Sequence, residues 1–111
     1  MFDFMGMMGK VKEAQAKIKE AQARLVHLTA EGESGAGLVK VVVNGERKVL
    51  KMDLDESLLT PKDKEMLSDL IVAATNKAME AIEQKIKAEM KSATEGMLPN
   101  IPGMDLGNMF G

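Results

Sequence analysis

The chain lacks cysteine, tryptophan and tyrosine, and its aromatic content is 3%. Without cysteine there are no disulfides and no thiolate metal sites, a composition suited to a reducing cytosol. Three phenylalanines cannot build the stacking platforms on which single-stranded nucleic acids lie. One histidine, His27, has no co-ligand of matching spacing and reads as a helix-end surface group. No apolar run approaches the roughly 20 residues of a membrane span. The first residues, MFDFMGMMG, lack a basic leader and a small-residue cleavage site, so no signal peptide is expected. An overall basic excess is also missing, because the net charge is −2.

What is present is ordinary for one small globular domain of 111 residues, with 45% hydrophobic and 29% charged residues. The charge is segregated along the chain. Residues 10–28 carry five basic and two acidic groups, and residues 38–52 four basic and one acidic. Residues 53–69 carry six acidic and two basic groups. Positive surface patches are therefore expected on a chain whose total is negative.

The β signal lies in 31–59. Leu38–Val43 (LVKVVV) is rich in β-branched residues and runs into Asn44-Gly45, the pair suited to a two-residue type I′ hairpin turn. The returning strand, Glu46–Asp55, puts Lys48, Leu50, Met52 and Leu54 on one face and Arg47, Val49, Lys51 and Asp53 on the other. Gly32, Ser34, Gly35 and Gly37 mark an earlier turn, so Thr29–Glu33 folds back as a third strand. A three-stranded antiparallel meander follows.

Two long helices flank it. The first spans about Phe4 to Leu28. Phe4, Val11, Ile18 and Leu25 recur every seven residues, and Met7, Ala14, Ala21 and Leu28 fill the second seam position. Glu13–Lys17 and Glu20–Arg24 are i,i+4 pairs in the favourable order. The second helix starts at Thr60-Pro61, with Thr60 as N-cap and Asp63 as the capping-box acid, and continues to about Glu95 before Gly96. Asp63, Glu65 and Asp69 stabilise its positive end rather than forming an acid–base pair. The fold class is α+β, in the order α-β-β-β-α, with one domain over residues 1–95. Residues 96–111 (GMLPNIPGMDLGNMFG) read as a flexible Gly/Pro/Met-rich tail.

The strings GESGAGLVKVVVNG, DLDESLL and KEMLSDLIVAATNKA resemble the YbaB/EbfC family of bacterial nucleoid-associated proteins over residues 1–93. The resemblance implies an intertwined, tweezer-shaped homodimer that binds DNA without catalysis, in the cytoplasm with the nucleoid. Geometry asks for a partner too. A helix from Pro61 to Glu95 is about 52 Å long at 1.5 Å per residue, against a sheet about 20 Å along its strands. The expected dimer surface is Val41, Val43, Leu50, Met66, Leu67, Leu70 and Ile71.

Among site candidates, Gly32–Gly37 has the wrong order for a dinucleotide loop and no Lys-Ser/Thr ending, so it reads as a strand connection. Ser34 has no paired base. Asp53, Asp55 and Glu56 lack calcium-loop spacing, and no metal, cofactor or small-molecule substrate is expected. The expected DNA-facing set is Lys10, Lys12, Lys17, Lys19 and Arg24, with Lys85, Lys87 and Lys91 as a companion set. Lys40, Arg47, Lys48 and Lys51 fall on the sheet, one face of which helices should cover. The alternative function is a protein–protein adaptor whose helical arms grip another protein and whose cations are incidental.

Overall fold

The computed structural model describes residues 4–95. The expected tail at 96–111 lies outside them. Helix α1 is Phe4–Leu25, followed by β1 (Thr29–Ser34), β2 (Val39–Asn44) and β3 (Val49–Leu54). Two 3-10 turns, Glu56–Leu58 and Pro61–Asp63, lead into α2 at Lys64–Thr94. The strands form one antiparallel sheet in the order β1-β2-β3, so the expected meander is present.

β1 and β2 alternate as a half-buried sheet should. Ala30, Gly32 and Ser34 pair with Val43, Val41 and Val39, and all six side chains or α-carbons turn to the covered face. Helix α2 lies across that face on β1 and β2. It fits closely because Gly32 has no side chain. A Cβ there would collide with the backbone carbonyl of Ala74 and the amide of Ala78. Ala74 and Ala78 are fully buried at this crossing. The Ser34 hydroxyl donates to the Leu70 carbonyl at 2.6 Å, satisfying a buried polar group and accounting for this serine structurally.

The hairpin turns depart from expectation. The type I′ geometry occurs in the first turn, at Ala36-Gly37, with φ of 56° and 91° and a Leu38 N–H bond to the Gly35 carbonyl. At the second turn it is Arg47, not Gly45, that takes a positive φ, 62°. The Asn44 side-chain oxygen accepts from the amides of Glu46 and Lys48 and so closes a longer loop than the expected two residues. Gly45 is needed for proximity instead. Its Cβ would strike the backbone of Leu25, and its amide bonds the Leu28 carbonyl. This contact accompanies the end of α1 at Leu25, three residues before the expected end.

β3 starts at Val49 rather than Glu46 and contains a bulge. Val42 faces Lys51 but Val43 faces Val49, so Leu50 is the extra residue. The bulge moves Val49 to the side of Met52 and Leu54, correcting the expected alternation. α2 does not cover this strand, and Val49, Leu50 and Met52 are 47%, 55% and 39% exposed.

The buried positions of α2 are Ala74, Ala78, Ile82, Ile86, Met90 and Thr94. A spacing of four exceeds the 3.6-residue turn, so the covered stripe winds around the helix. Its first half faces the sheet and its second half meets α1, which runs antiparallel to it through Ala14, Ile18 and Ala21. The paired helices form an arm. At its start, the Thr60 hydroxyl donates to the Asp63 carboxylate at 2.8 Å, and neither side chain makes the expected cap bond to the helix backbone.

Candidate nucleic-acid interface

All the expected DNA-facing cations, Lys10, Lys12, Lys17, Lys19, Arg24, Lys85, Lys87 and Lys91, are exposed. Helical phase divides them. Lys10, Lys17 and Arg24 recur every seven residues along one edge of the α1 seam, while Lys12 and Lys19 lie on the opposite side.

The Arg24 edge is electrically mixed. Arg24 Nε donates to Glu89 Oε1 of α2 at 2.7 Å, in place of the expected pairing with Glu20. Among the described residues Lys17 makes no ion pair, so the expected Glu13–Lys17 bridge is not formed. Lys17, Glu20, Arg24, Ser92, Ala93 and Glu95 line one shallow cleft between the helices. Lys85 Nζ is on this side too, donating to the Thr29 carbonyl at 2.5 Å. Cations and carboxylates thus alternate along the edge.

The other edge has a different character. Arg47, held at its positive φ in the β2–β3 turn, donates through Nε to Glu83 Oε1 of α2. That hydrogen bond holds the Glu83 carboxyl below its ordinary range, against a smaller opposing effect of burial, and the charges of Arg47 and Lys87 add to it. Glu83, Lys87 and Lys91 succeed one another at intervals of four on one stripe of α2. Because the helices are antiparallel, the same side of α1 carries Met8, Lys12, Gln15, Lys19 and Gln22. Among the described residues Lys12, Lys19, Lys87 and Lys91 make no ion pair, and Glu83 at the root is engaged by Arg47. Helical phase places these four on one flank of the arm and Lys10, Lys17, Arg24 and Lys85 on the other.

Sequence reasoning missed the two acid partners, Glu83 and Glu89. It could have separated the cations by heptad position, since Lys10, Lys17 and Arg24 share one and Lys12 and Lys19 another. Of the sheet cations, Lys48 lies 3.5 Å from Glu46 and Lys51 3.5 Å from Asp53, leaving little net positive charge there. The Asp55 carboxylate accepts from the Ser57 amide at 2.9 Å and hydroxyl at 2.6 Å, and so caps a 3-10 turn. His27 is exposed.

The expected dimer surface is also divided. Val41 and Val43 are fully buried beneath α2 in their own chain and offer no surface to a second one, because the core face of β2 is closed by the helix. Leu50 and Met66 are exposed, and Leu67, Leu70 and Ile71 are half-buried against the core.

The architecture is thus a two-helix arm on a three-stranded platform, with four lysines on one flank that make no ion pair among the described residues. The chain belongs to the YbaB/EbfC DNA-binding family, whose model matches residues 1–97. It is 44% identical over 106 residues to the nucleoid-associated protein Atu0095 of Agrobacterium fabrum, covering 96% of this chain and 98% of that one. It is 40% identical over 111 residues to the nucleoid-associated protein CT0805 of Chlorobaculum tepidum, covering 100% and 96%. The crystal structure of the uncharacterized protein HP0035 from Helicobacter pylori superposes with a TM-score of 0.66 at 25% identity, covering 79% of this chain and 92% of that one.

Proposed function

We propose that this protein is a homodimer that binds duplex DNA in the cytoplasmic nucleoid, mainly through phosphates and with little sequence preference, and that it has no catalytic role. The observation that carries the reading is that Lys12, Lys19, Lys87 and Lys91, on one flank of the arm, are exposed and make no ion pair among the described residues. These cations are distributed over roughly 20 Å of helix, on a scale suited to the closely spaced phosphates of a duplex. They sit on helical backbone, which holds their spacing, and present ammonium groups, which attract phosphate without reading bases.

The dimer reading rests on β3. An edge strand with the exposed apolar side chains Val49, Leu50 and Met52 is a surface that soluble chains normally cover. Two joined platforms would carry two arms and two basic flanks.

The test is a salt titration of binding to unrelated duplexes. The Lys12→Gln, Lys19→Gln, Lys87→Gln, Lys91→Gln variant should bind more weakly and with a flatter dependence of log K on log salt, by up to about 0.9 for each phosphate left un-neutralised. The matching variant of the mixed edge, Lys10→Gln, Lys17→Gln, Arg24→Gln, should change the slope far less. Identical slopes for the two variants would contradict this assignment. The net charge of −2 favours the adaptor reading; that reading is established instead if the wild-type chain shows no duplex affinity even at low salt.

A further inference from the structure

Helix α1 outruns its neighbour. Arg24 lies level with Glu89 across the antiparallel helices, and Lys17 and Glu95 line one cleft, so α2 ends beside about the middle of α1. The first turns of α1, from Phe4 to about Lys12, therefore form the tip of the arm. Met5 in this tip is 85% exposed, more than any other large apolar side chain among the described residues.

Helical phase gives that side chain a direction. Met5, Lys12 and Lys19 recur every seven residues, so Met5 extends the row of lysines on the flank assigned to DNA. At 1.5 Å per residue it lies roughly 10 Å beyond Lys12. Met8, 43% exposed, is three residues from Met5 and four from Lys12, and so completes one continuous patch with them. Gly9 falls in the same patch, four residues from Met5 and three from Lys12. Glycine weakens a helix, yet nothing lies within 4 Å of a carbon added here, so no packing inside the chain requires it. Residues 4–12 hold two lysines and no acidic residue, which lets a phosphate backbone approach.

We infer that Met5, supported by Met8, is a wedge that enters the base stack of the bound duplex and bends it. Such a wedge presupposes the duplex binding proposed above and adds what the tip of the arm does there. The row on α1 begins with lysines, which hold phosphates, and ends in a side chain that cannot. In water Met5 is uncovered apolar surface; between two unstacked base pairs it is buried against their rings. Methionine suits the task, because it is unbranched and its polarizable sulfur makes favourable contacts with aromatic rings. Gly9 leaves space for a sugar–phosphate strand to lie close to the helix backbone. A lipid surface would use the tip differently. It would engage the apolar residues all round, including Met7, which is 50% exposed but about 200° around the helix from Met5. A wedge uses only the side that carries the lysines.

The test uses the full chain and a short duplex with a dye at each end and 2-aminopurine placed at several positions in turn. The fluorescence of 2-aminopurine rises when the base unstacks, and energy transfer between the dyes reports the bend. Wild type should raise the fluorescence and bend the duplex by at least about 20°. Met5→Gln with Met8→Gln should lose both signals and keep the salt slope of binding, since no phosphate contact is removed. Glutamine has nearly the helix propensity of methionine, so α1 is retained. Met7→Gln should leave both signals in place. Binding by wild type without unstacking, unstacking that survives in the double variant, or equal loss in Met7→Gln each overturns the wedge while leaving duplex binding intact. No duplex binding by wild type at low salt overturns both. Co-sedimentation with phosphatidylglycerol vesicles that needs Met5 and Met8, with no unstacking of the duplex, would make the tip a membrane contact instead.

Discussion

The guanidinium of Arg24 meets the carboxylate of Glu89 at 2.7 Å across the two helices of the arm. This contact reports the rotational register that the packed seam of Ala14, Ile18 and Ala21 sets between α1 and α2. Both side chains are partly exposed, so the pair contributes at most about 1 kcal/mol. Arg24→Gln should lower the thermal midpoint only slightly in differential scanning calorimetry. Its duplex affinity should stay near wild type, because the cation is already engaged. A loss as large as that caused by Lys19→Gln would put Arg24 on the DNA after all.

Gly32 tests the root of the arm. A methyl group there meets main-chain atoms of Ala74 and Ala78, which cannot rotate away. Gly32→Ala should cost about 3 kcal/mol or more, at the upper end of overpacking effects, as measured by urea denaturation. Gly9→Ala is the contrast, since nothing lies within 4 Å of the added carbon. It should be neutral or stabilising through helix propensity.

The Arg47–Glu83 pair gives a pH signature. The carboxyl of Glu83 is held below its ordinary range, chiefly by the hydrogen bond from Arg47. The Asp55 carboxyl is lowered as well, first by the Ser57 hydroxyl and then by its amide. A depressed carboxylate contributes stability that is complete above its unfolded pKa, about 4 for both groups. That contribution fades as pH falls through the lower folded value. Arg47→Gln should reduce stability near neutrality and flatten the acid limb of a stability-versus-pH curve. An unchanged limb would mean the pair is not formed in solution.

Met52→Glu on the uncovered strand should leave the protomer folded and raise the dimer dissociation constant, read by light scattering on dilution. Val41→Glu should instead unfold the chain, since a fully buried position would receive an unpaired charge. Equal oligomeric states for wild type and Met52→Glu would remove β3 from the interface.

Much of this was legible from residue pattern. The seven-residue repeat gave α1 and its seam, and the β-branched run gave β2 and, with the glycines, the meander. Turn detail was not legible, because Gly45 is required by the backbone of Leu25, a contact 20 residues away in sequence that no local rule contains. The bulge at Leu50 had the same origin, as strand register depends on how the longer loop at Asn44 closes. For the site, residue types were readable but convergence was not. Arg24 had a plausible acid at i−4, and only the packing of α1 on α2 showed that Glu89 wins. Val41 and Val43 were misplaced on the dimer surface because a sheet pattern shows which face is apolar and not which chain covers it.

Winding of the buried stripe along α2 has a mechanical consequence. One continuous rod is clamped to the strands by its lower turns and to its companion helix by its upper turns, on different sides. Twisting it about its axis would loosen both clamps together, so a load at the tip is transmitted to the base by elastic bending instead of by a hinge. In the proposed dimer, the gap between two such prongs would be fixed by the angle at which the bases join, so that the pair would gauge the width of what it holds.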